Sequence, residues 1–512
     1  MQESNTGIRR EETIPIKAGD GEVGSRSRGR RILRSFGFLT AGRTLADGFN
    51  FLYFVVLSRN FGGEGIGQYS FAMGLTGFFA VFADFGLYEL SIKELSRQDG
   101  SLGTHYGPIL ILRLGLTVVV LGVLLAILPL IPVSHETKLL FALIGAFQVM
   151  QMLIVGAMAV FIAREDTHLA AIIEISTKVF LALAVTVVVI AGGRLVTAVA
   201  TLPVITAGQI LVTHRLVTRK YGRPQLTISL SQMIQTMHQA LPYGLSGFLN
   251  QVYTRVDVVF LGFFLGATAA GIYNVSYRVV FLLKFIPQIA AISFFPLASK
   301  LYQSSRKDLE IFYRKSVRLI VILGLPFSAG LWLIAPDLIE VLFGETFAES
   351  VPVLRILAGF LFLTFVSRAL GVFLMSCDRQ VERTKSHWKV ACLNVLANLV
   401  LISVFHEKGA AIAVLISEAC LVSLFALRLR PVLGWPNIGS RLVIGSIGAA
   451  SFCLPFTLFH SFPLGVVIPA SVLLYSLTLV MFKETRRNEI RGLLKPFKVK
   501  WEHIKSEGLR TS

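Results

Sequence analysis

Leu57-Ser58-Arg59-Asn60-Phe61-Gly62-Gly63-Glu64-Gly65-Ile66-Gly67-Gln68-Tyr69-Ser70-Phe71-Ala72 is the stretch on which the fold turns. It links two apolar runs, near 36–57 and 68–90, through a polar, glycine-rich segment too short to hold a domain. An apolar run of about 20 residues reads as a helix that crosses a bilayer, so the stretch reads as the turn of a membrane hairpin. A shift of 204 residues repeats it faintly: Leu57, Gly62, Gly67 and Tyr69 fall on Leu261, Gly266, Gly271 and Tyr273, with Leu45 on Leu249 and Val55 on Val259. Six identities in apolar sequence are weak by count. Their position is the stronger signal, because it lays the first hairpin on another near 240–265 and 270–298.

Outward from these hairpins, further apolar runs lie near 108–132, 139–162, 169–191, 195–213, 313–335, 350–376, 388–405, 409–427, 441–459 and 463–482. The 512 residues are 54% apolar and 15% charged, with a mean hydropathy of +0.69, where a soluble protein carries about 25% charged residues. About 14 helices of about 20 residues each would fill roughly half the chain. The expected fold is therefore all-α and polytopic in the membrane. Composition excludes a soluble enzyme, a disordered chain and a disulfide scaffold. The hairpin echo, six spans apart, implies two parallel six-helix repeats about an axis normal to the membrane, followed by two extra C-terminal helices. The expected organisation is a basic tail over 1–35, mostly disordered, a first bundle over 36–213, a basic linker over 214–239, a second bundle over 240–427, the extra helices over 428–482 and a basic tail over 483–512.

The formal charge is +19. In a membrane protein the placement of that charge matters more than its sum, since Lys and Arg concentrate in cytoplasmic loops. Of the 49 Lys and Arg, 37 fall on the side of the N-terminal tail when Arg314, Lys315, Arg318, Lys389 and Arg441, near the start of a span, are counted with its loop. Only Arg59, Lys138, Arg194 and Lys408 fall on the other side. Both termini are expected in the cytoplasm, with the chain multi-pass in the cell (inner) membrane and no nucleic acid as partner.

Catalytic motifs are missing from the sequence. The nine histidines form no His-x-x-x-His pair on a helix, which argues against a metal. Gly63-Glu64-Gly65-Ile66-Gly67 lacks the lysine of a phosphate loop. Cys377, Cys392, Cys420 and Cys453 read as inert thiols in or beside apolar runs. No catalytic residue and no cofactor are expected, and the protein reads as something other than an enzyme.

Ionisable residues inside spans are the informative ones, since each costs about 2.5–3.5 kcal/mol at mid-bilayer on insertion scales. The first span carries Arg43, Asp47 and Asn50; the first two share a helix face. The seventh carries Asn250, Gln251, Arg255 and Asp257, and the eighth Arg278 and Lys284. A solvated site between the halves explains charged, amide-rich centres on the helices that lead both repeats. Candidate binding residues are therefore Arg43, Asp47, Asn50, Asn250, Arg255, Asp257, Arg278 and Lys284. Elsewhere, Arg113, Arg355 and Arg368 are expected to snorkel to an interface, Glu174 and Lys178 to pair, and Asp84 to cap or pair. Glu418 is left open between a helix contact and a protonated acid.

The first hairpin, with Ala83-Asp84-Phe85-Gly86-Leu87 and Lys93-Glu94-Leu95-Ser96-Arg97 after it, resembles the opening of the Wzx-like flippases of polysaccharide biosynthesis. These belong to the multidrug/oligosaccharidyl-lipid/polysaccharide exporter superfamily. Asn60-Phe61-Gly62 departs mildly from the family pattern. The resemblance implies a MATE-like fold and transport of a polyprenyl-diphosphate-linked oligosaccharide (an O-antigen, capsule or exopolysaccharide unit) by alternating access. It implies as partners the lipid-linked oligosaccharide, the bilayer, and the polymerase and glycosyltransferases of the same pathway. Cations at mid-membrane suit the diphosphate. The alternatives are a peptidoglycan-precursor flippase and a multidrug/cation antiporter, whose site would need acids and aromatics. A membrane glycan polymerase is disfavoured, because the acidic segment 336–349 is short.

The charge asymmetry makes a topological prediction. In a cysteine-free background, single cysteines near Thr268 and Glu345 should label from outside intact cells. Those near Arg219, Lys307 and Lys385 should label only after permeabilisation. A reversal at any site would overturn the span count between it and the N-terminus.

Overall fold

The computed structural model describes residues 21–97, 102–131, 133–225, 229–435, 439–458 and pieces of 470–478. The tail expected at 483–512 and most of the run at 463–482 lie outside the described residues. The chain forms α1 (Gly21–Asp84), α2 (Leu87–Arg97), α3 (Leu102–Ile127), α4 (His135–Ala163), α5 (Thr167–Ile190), α6 (Leu195–Tyr221) and α7 (Leu230–Phe264). It continues as α8 (Ala267–Leu283), α9 (Phe285–Ser304), α10 (Arg306–Leu333), α11 (Ala335–Phe343), α12 (Ser350–Ser376), α13 (Gln380–Leu433) and α14 (Gly439–Leu458). No strand occurs among the described residues. The tail expected to be disordered over 1–35 is already helical from Gly21, since its arginines are good helix formers and extend the first span.

Among the described residues, nine helices are long and apolar enough to cross a bilayer. Two long helices fold back on themselves. α1 has 64 residues, which straight would reach about 95 Å, some three times the hydrocarbon thickness. It breaks at Gly62, where φ is 61° and ψ −168°, a left-handed conformation that a residue without Cβ adopts freely. α13 has 54 residues and breaks at His406, between the runs expected at 388–405 and 409–427. α7 is not among the nine, because Asn250, Gln251, Arg255 and Asp257 interrupt its apolar character.

The 204-residue echo is a physical relation. Gly266, the counterpart of Gly62, precedes α8 with φ 90°. Beyond each turn the hairpins cross where side chains vanish. A Cβ on Gly67 would collide with the Ala267 carbonyl, and one on Gly271 would sit 2.6 Å from the Gly63 carbonyl. Gly63 and Ala267 are counterparts too, so the two contacts are exchanged by a twofold operation. On the axis Asn274 donates to its own counterpart, Ser70, at 2.6 Å. Inside each hairpin a bond spans the same sixteen residues: the Tyr53 and Tyr69 hydroxyls pair at 2.8 Å, and the Tyr273 hydroxyl donates to Asp257.

The second arm of α1 then runs antiparallel along α7. Phe71 meets Phe263 at 5.0 Å between ring centroids and Phe82 meets Phe248 at 5.5 Å. At the far end a Cβ on Gly244 would lie 2.6 Å from the Phe85 carbonyl. Just before that bend Asp84 accepts from the Arg113 guanidinium at 2.7 Å and from the Tyr88 N–H at 3.1 Å. Asp84 thus both pairs and caps, as expected. Arg113 does not snorkel: it is fully buried, because the carboxylate offers a partner and Gly156 leaves room for the guanidinium.

Overpacking a tight contact costs about 1–3 kcal/mol. Gly67→Ala and Gly271→Ala should each lower the thermal midpoint of the purified protein. Gly48→Ala, at a helical position where a Cβ meets nothing within 4 Å, should leave it unchanged or raise it. Equal effects at all three positions would refute a tight crossing.

Candidate functional site

The site is built from α7 and α8, which the twofold crossing holds against the first arm of α1. α8 ends at Leu283 and α9 starts at Phe285. Pro287 explains the break, since it has no N–H to give the Leu283 carbonyl four residues earlier. Lys284 sits at this break, so it leaves the helix in the middle of the eighth span. Its Nζ donates to the Tyr277 hydroxyl at 3.2 Å and lies 4.4 Å from the centre of the Phe360 ring. Tyr277 stacks on Tyr273 at 5.9 Å, and Tyr273 donates to Asp257. Asp257 also accepts from the Val258 N–H at 2.8 Å.

Arg278 follows Tyr277 on α8 and reaches towards α1, where its guanidinium lies 4.9 Å from the centre of the Phe54 ring. The side chain is buried, and its Nε has no hydrogen-bond partner. Arg255 is half-buried on α7, within electrostatic reach of Arg278, Tyr277, Asp257 and Tyr69. Among the described residues, none of Arg255, Arg278 and Lys284 makes an ion pair. Aromatic faces hold Arg278 and Lys284 by cation–π attraction, which positions a cation without neutralising it.

The structure distributes the sequence-derived candidates unevenly. Arg255, Asp257, Arg278 and Lys284 come together on one polar seam with Tyr69, Tyr273 and Tyr277. Asp47 is half-buried on α1 and shares an electrostatic neighbourhood with Lys178, which also senses Glu174 and Arg278. The Glu174–Lys178 pair expected to be merely structural therefore adjoins the seam. Asn50 is half-buried and Asn250 exposed. The Arg43 side chain lies outside the described residues. Sequence reading missed the tyrosines, although Tyr69 and Tyr273 were already matched by the echo. It also missed Phe54 and Phe360, which carry no signal distinct from any apolar residue. Glu418 is a buried helix contact, accepting from the Tyr253 hydroxyl at 2.9 Å and from Ser367.

The model of the polysaccharide biosynthesis protein family matches residues 32–302, more than half of the chain and both repeat-leading hairpins. The chain belongs to this family. It is 21% identical over 469 residues to a probable low-salt glycan biosynthesis flippase, Agl15, of Haloferax volcanii, covering 88% of this chain and 95% of the relative. The structure is similar to that of the lipid II flippase MurJ in an inward closed conformation, with a TM-score of 0.72 at 14% identity over 88% of this chain and 99% of the other. An inward-facing multidrug resistance MATE family transporter matches with a TM-score of 0.62 at 14% identity, over 75% of this chain and 94% of the other. At such identities the likeness establishes the fold, a polytopic MATE-like helical bundle.

Two buried arginines make a contrast that can be measured. Removing one partner of a buried ion pair costs about 3–5 kcal/mol, so Arg113→Gln should markedly lower the thermal midpoint of the purified protein. Arg278→Gln loses no ion pair and should lower it far less. Equal losses would mean that Arg278 serves the fold.

Proposed function

We propose that the protein moves a polyprenyl-diphosphate-linked oligosaccharide from the cytoplasmic to the outer leaflet of the cell membrane by alternating access. The observation that carries this reading is the seam of Arg255, Arg278 and Lys284, cationic and without ion-pair partners among the described residues. A diphosphate is costly to bring into hydrocarbon. Charge-assisted bonds from guanidinium and ammonium groups replace its hydration. Arg278 and Lys284 would exchange an aromatic face for phosphate oxygens, while Asp257 stays with Tyr273. Glycan hydroxyls would meet the tyrosines and the amides Asn50 and Asn250, and the lipid tail would stay in the bilayer.

Fold and family support a transporter with repeats that rock about the site. The proposed topology puts both termini, the Gly86–Gly244 contact and the basic loops in the cytoplasm. The same cations would suit a peptidoglycan precursor as well. A cation antiporter would need unpaired acids at the seam, where Asp257 is engaged by two donors. Polymerase and glycosyltransferases would act before and after translocation, and no bond chemistry is assigned to this chain.

Reconstituted in vesicles with a labelled lipid-linked oligosaccharide, the protein should change its sidedness and leave its mass unchanged. Arg255→Gln and Lys284→Gln should accumulate normally and lower translocation at least tenfold. Arg255→Lys should retain part of it, because a point charge attracts phosphate but lacks the bidentate fork. Full translocation by well-folded Arg255→Glu and Lys284→Glu proteins would defeat the proposal.

A further inference from the structure

A second group of cations lies away from the seam, where α12 ends and α13 begins. Arg368 sits on α12, about two turns before its end at Ser376, and Arg383 and His387 lie on the first turns of α13. The reversal between the helices brings the three together. Arg383 and Arg368 lie within electrostatic reach of each other and of His387. His387 meets the edge of Phe425 at 5.5 Å between ring centroids. Arg383 packs beside Gly371, one turn after Arg368 on α12: a Cβ on Gly371 would touch the Arg383 Nε at 3.5 Å.

Two nearby acids are occupied, whereas Asp378 lies exposed in the turn between the helices. Glu382 takes Arg379 at 3.3 Å and Arg428 at 3.9 Å, and Glu418 accepts from Tyr253 and Ser367. The Arg383 Nε is buried without a hydrogen-bond partner. Among the described residues, neither Arg368 nor Arg383 makes an ion pair or a side-chain hydrogen bond. Arg379 shows the contrasting structural use, bonding Glu382 and the Arg428 carbonyl. The group also connects to the seam. Tyr253 lies within electrostatic reach of both Arg368 and Tyr277, and Tyr277 accepts from Lys284.

We propose that Arg368, Arg383 and His387 form a second phosphate-binding site, which holds the diphosphate of a lipid-linked glycan before it reaches the seam. The identity of the natural ligand rests on the flippase reading; the phosphate chemistry does not. Arg368 presents an accessible guanidinium, Arg383 a partly sealed one, and His387 an imidazole packed against Phe425. The hydroxyls of Tyr253 and Tyr277 line the way to Lys284.

The test uses full-length protein in nanodiscs of neutral lipid, in an Arg255→Gln/Lys284→Gln background that silences the seam. Geranyl diphosphate and inorganic pyrophosphate are the probes, with binding read by calorimetry. The background protein should bind both, and adding Arg368→Gln/Arg383→Gln should weaken binding at least tenfold at an unchanged thermal midpoint. Arg368→Lys/Arg383→Lys, which keeps both charges, should restore part of it and covers the case in which the Gln variant misfolds. Binding that survives the Gln substitutions overturns the proposal. So does binding abolished in discs containing phosphatidylglycerol, which would make this a bilayer-lipid site. Tighter binding of geranyl diphosphate than of pyrophosphate points to a lipid-borne ligand; the reverse points to free phosphate and overturns the docking role. These arms read binding alone, so they stand even if the protein fails to translocate glycan.

Discussion

Two backbone surfaces touching without side chains between them hold the rest of this protein in place. At Gly67 and Gly271 each hairpin presses on the carbonyl of its counterpart. Membrane helices gain little from the hydrophobic effect against one another and depend on close packing and hydrogen bonds instead. A crossing of small residues, pinned by Asn274 on Ser70, supplies both. It fixes how α1 lies on α7 and α8, and so where Arg255, Arg278 and Lys284 can meet.

The twofold relation is obeyed by backbone and broken by chemistry. Tyr53 occupies the place that Asp257 takes in the other hairpin, and both bond a tyrosine sixteen residues on. Likewise Gly74 is the counterpart of Arg278, and Phe54 that of Val258. Gly74 meets Val258, whereas Arg278 lies over Phe54. The cationic side of the seam therefore comes from one half alone. A symmetric scaffold positions an asymmetric charge.

Much of the fold was legible because hydrocarbon imposes long apolar runs. The break at Gly62 and the turn around His406 fell where the apolar runs were interrupted. Arg113 departs from its expected place because sequence gives depth but no partner; Asp84 lies 29 residues earlier and meets it only through packing. The seam was half legible. Mid-span charges announced Arg255, Asp257, Arg278 and Lys284, whereas the rings that hold them look like any lipid-facing aromatic. The cluster of Arg368, Arg383 and His387 was hidden because Arg368 read as a snorkelling span residue, while Arg383 and His387 read as ordinary polar residues of a cytoplasmic loop.

The paired glycine contacts also bear on how such a molecule moves. Because each hairpin contributes the carbonyl that the other's glycine receives, a displacement that draws the hairpins apart acts on both contacts together. Separation is then a single concerted event, closer to a latch with two teeth on one bolt than to a zipper.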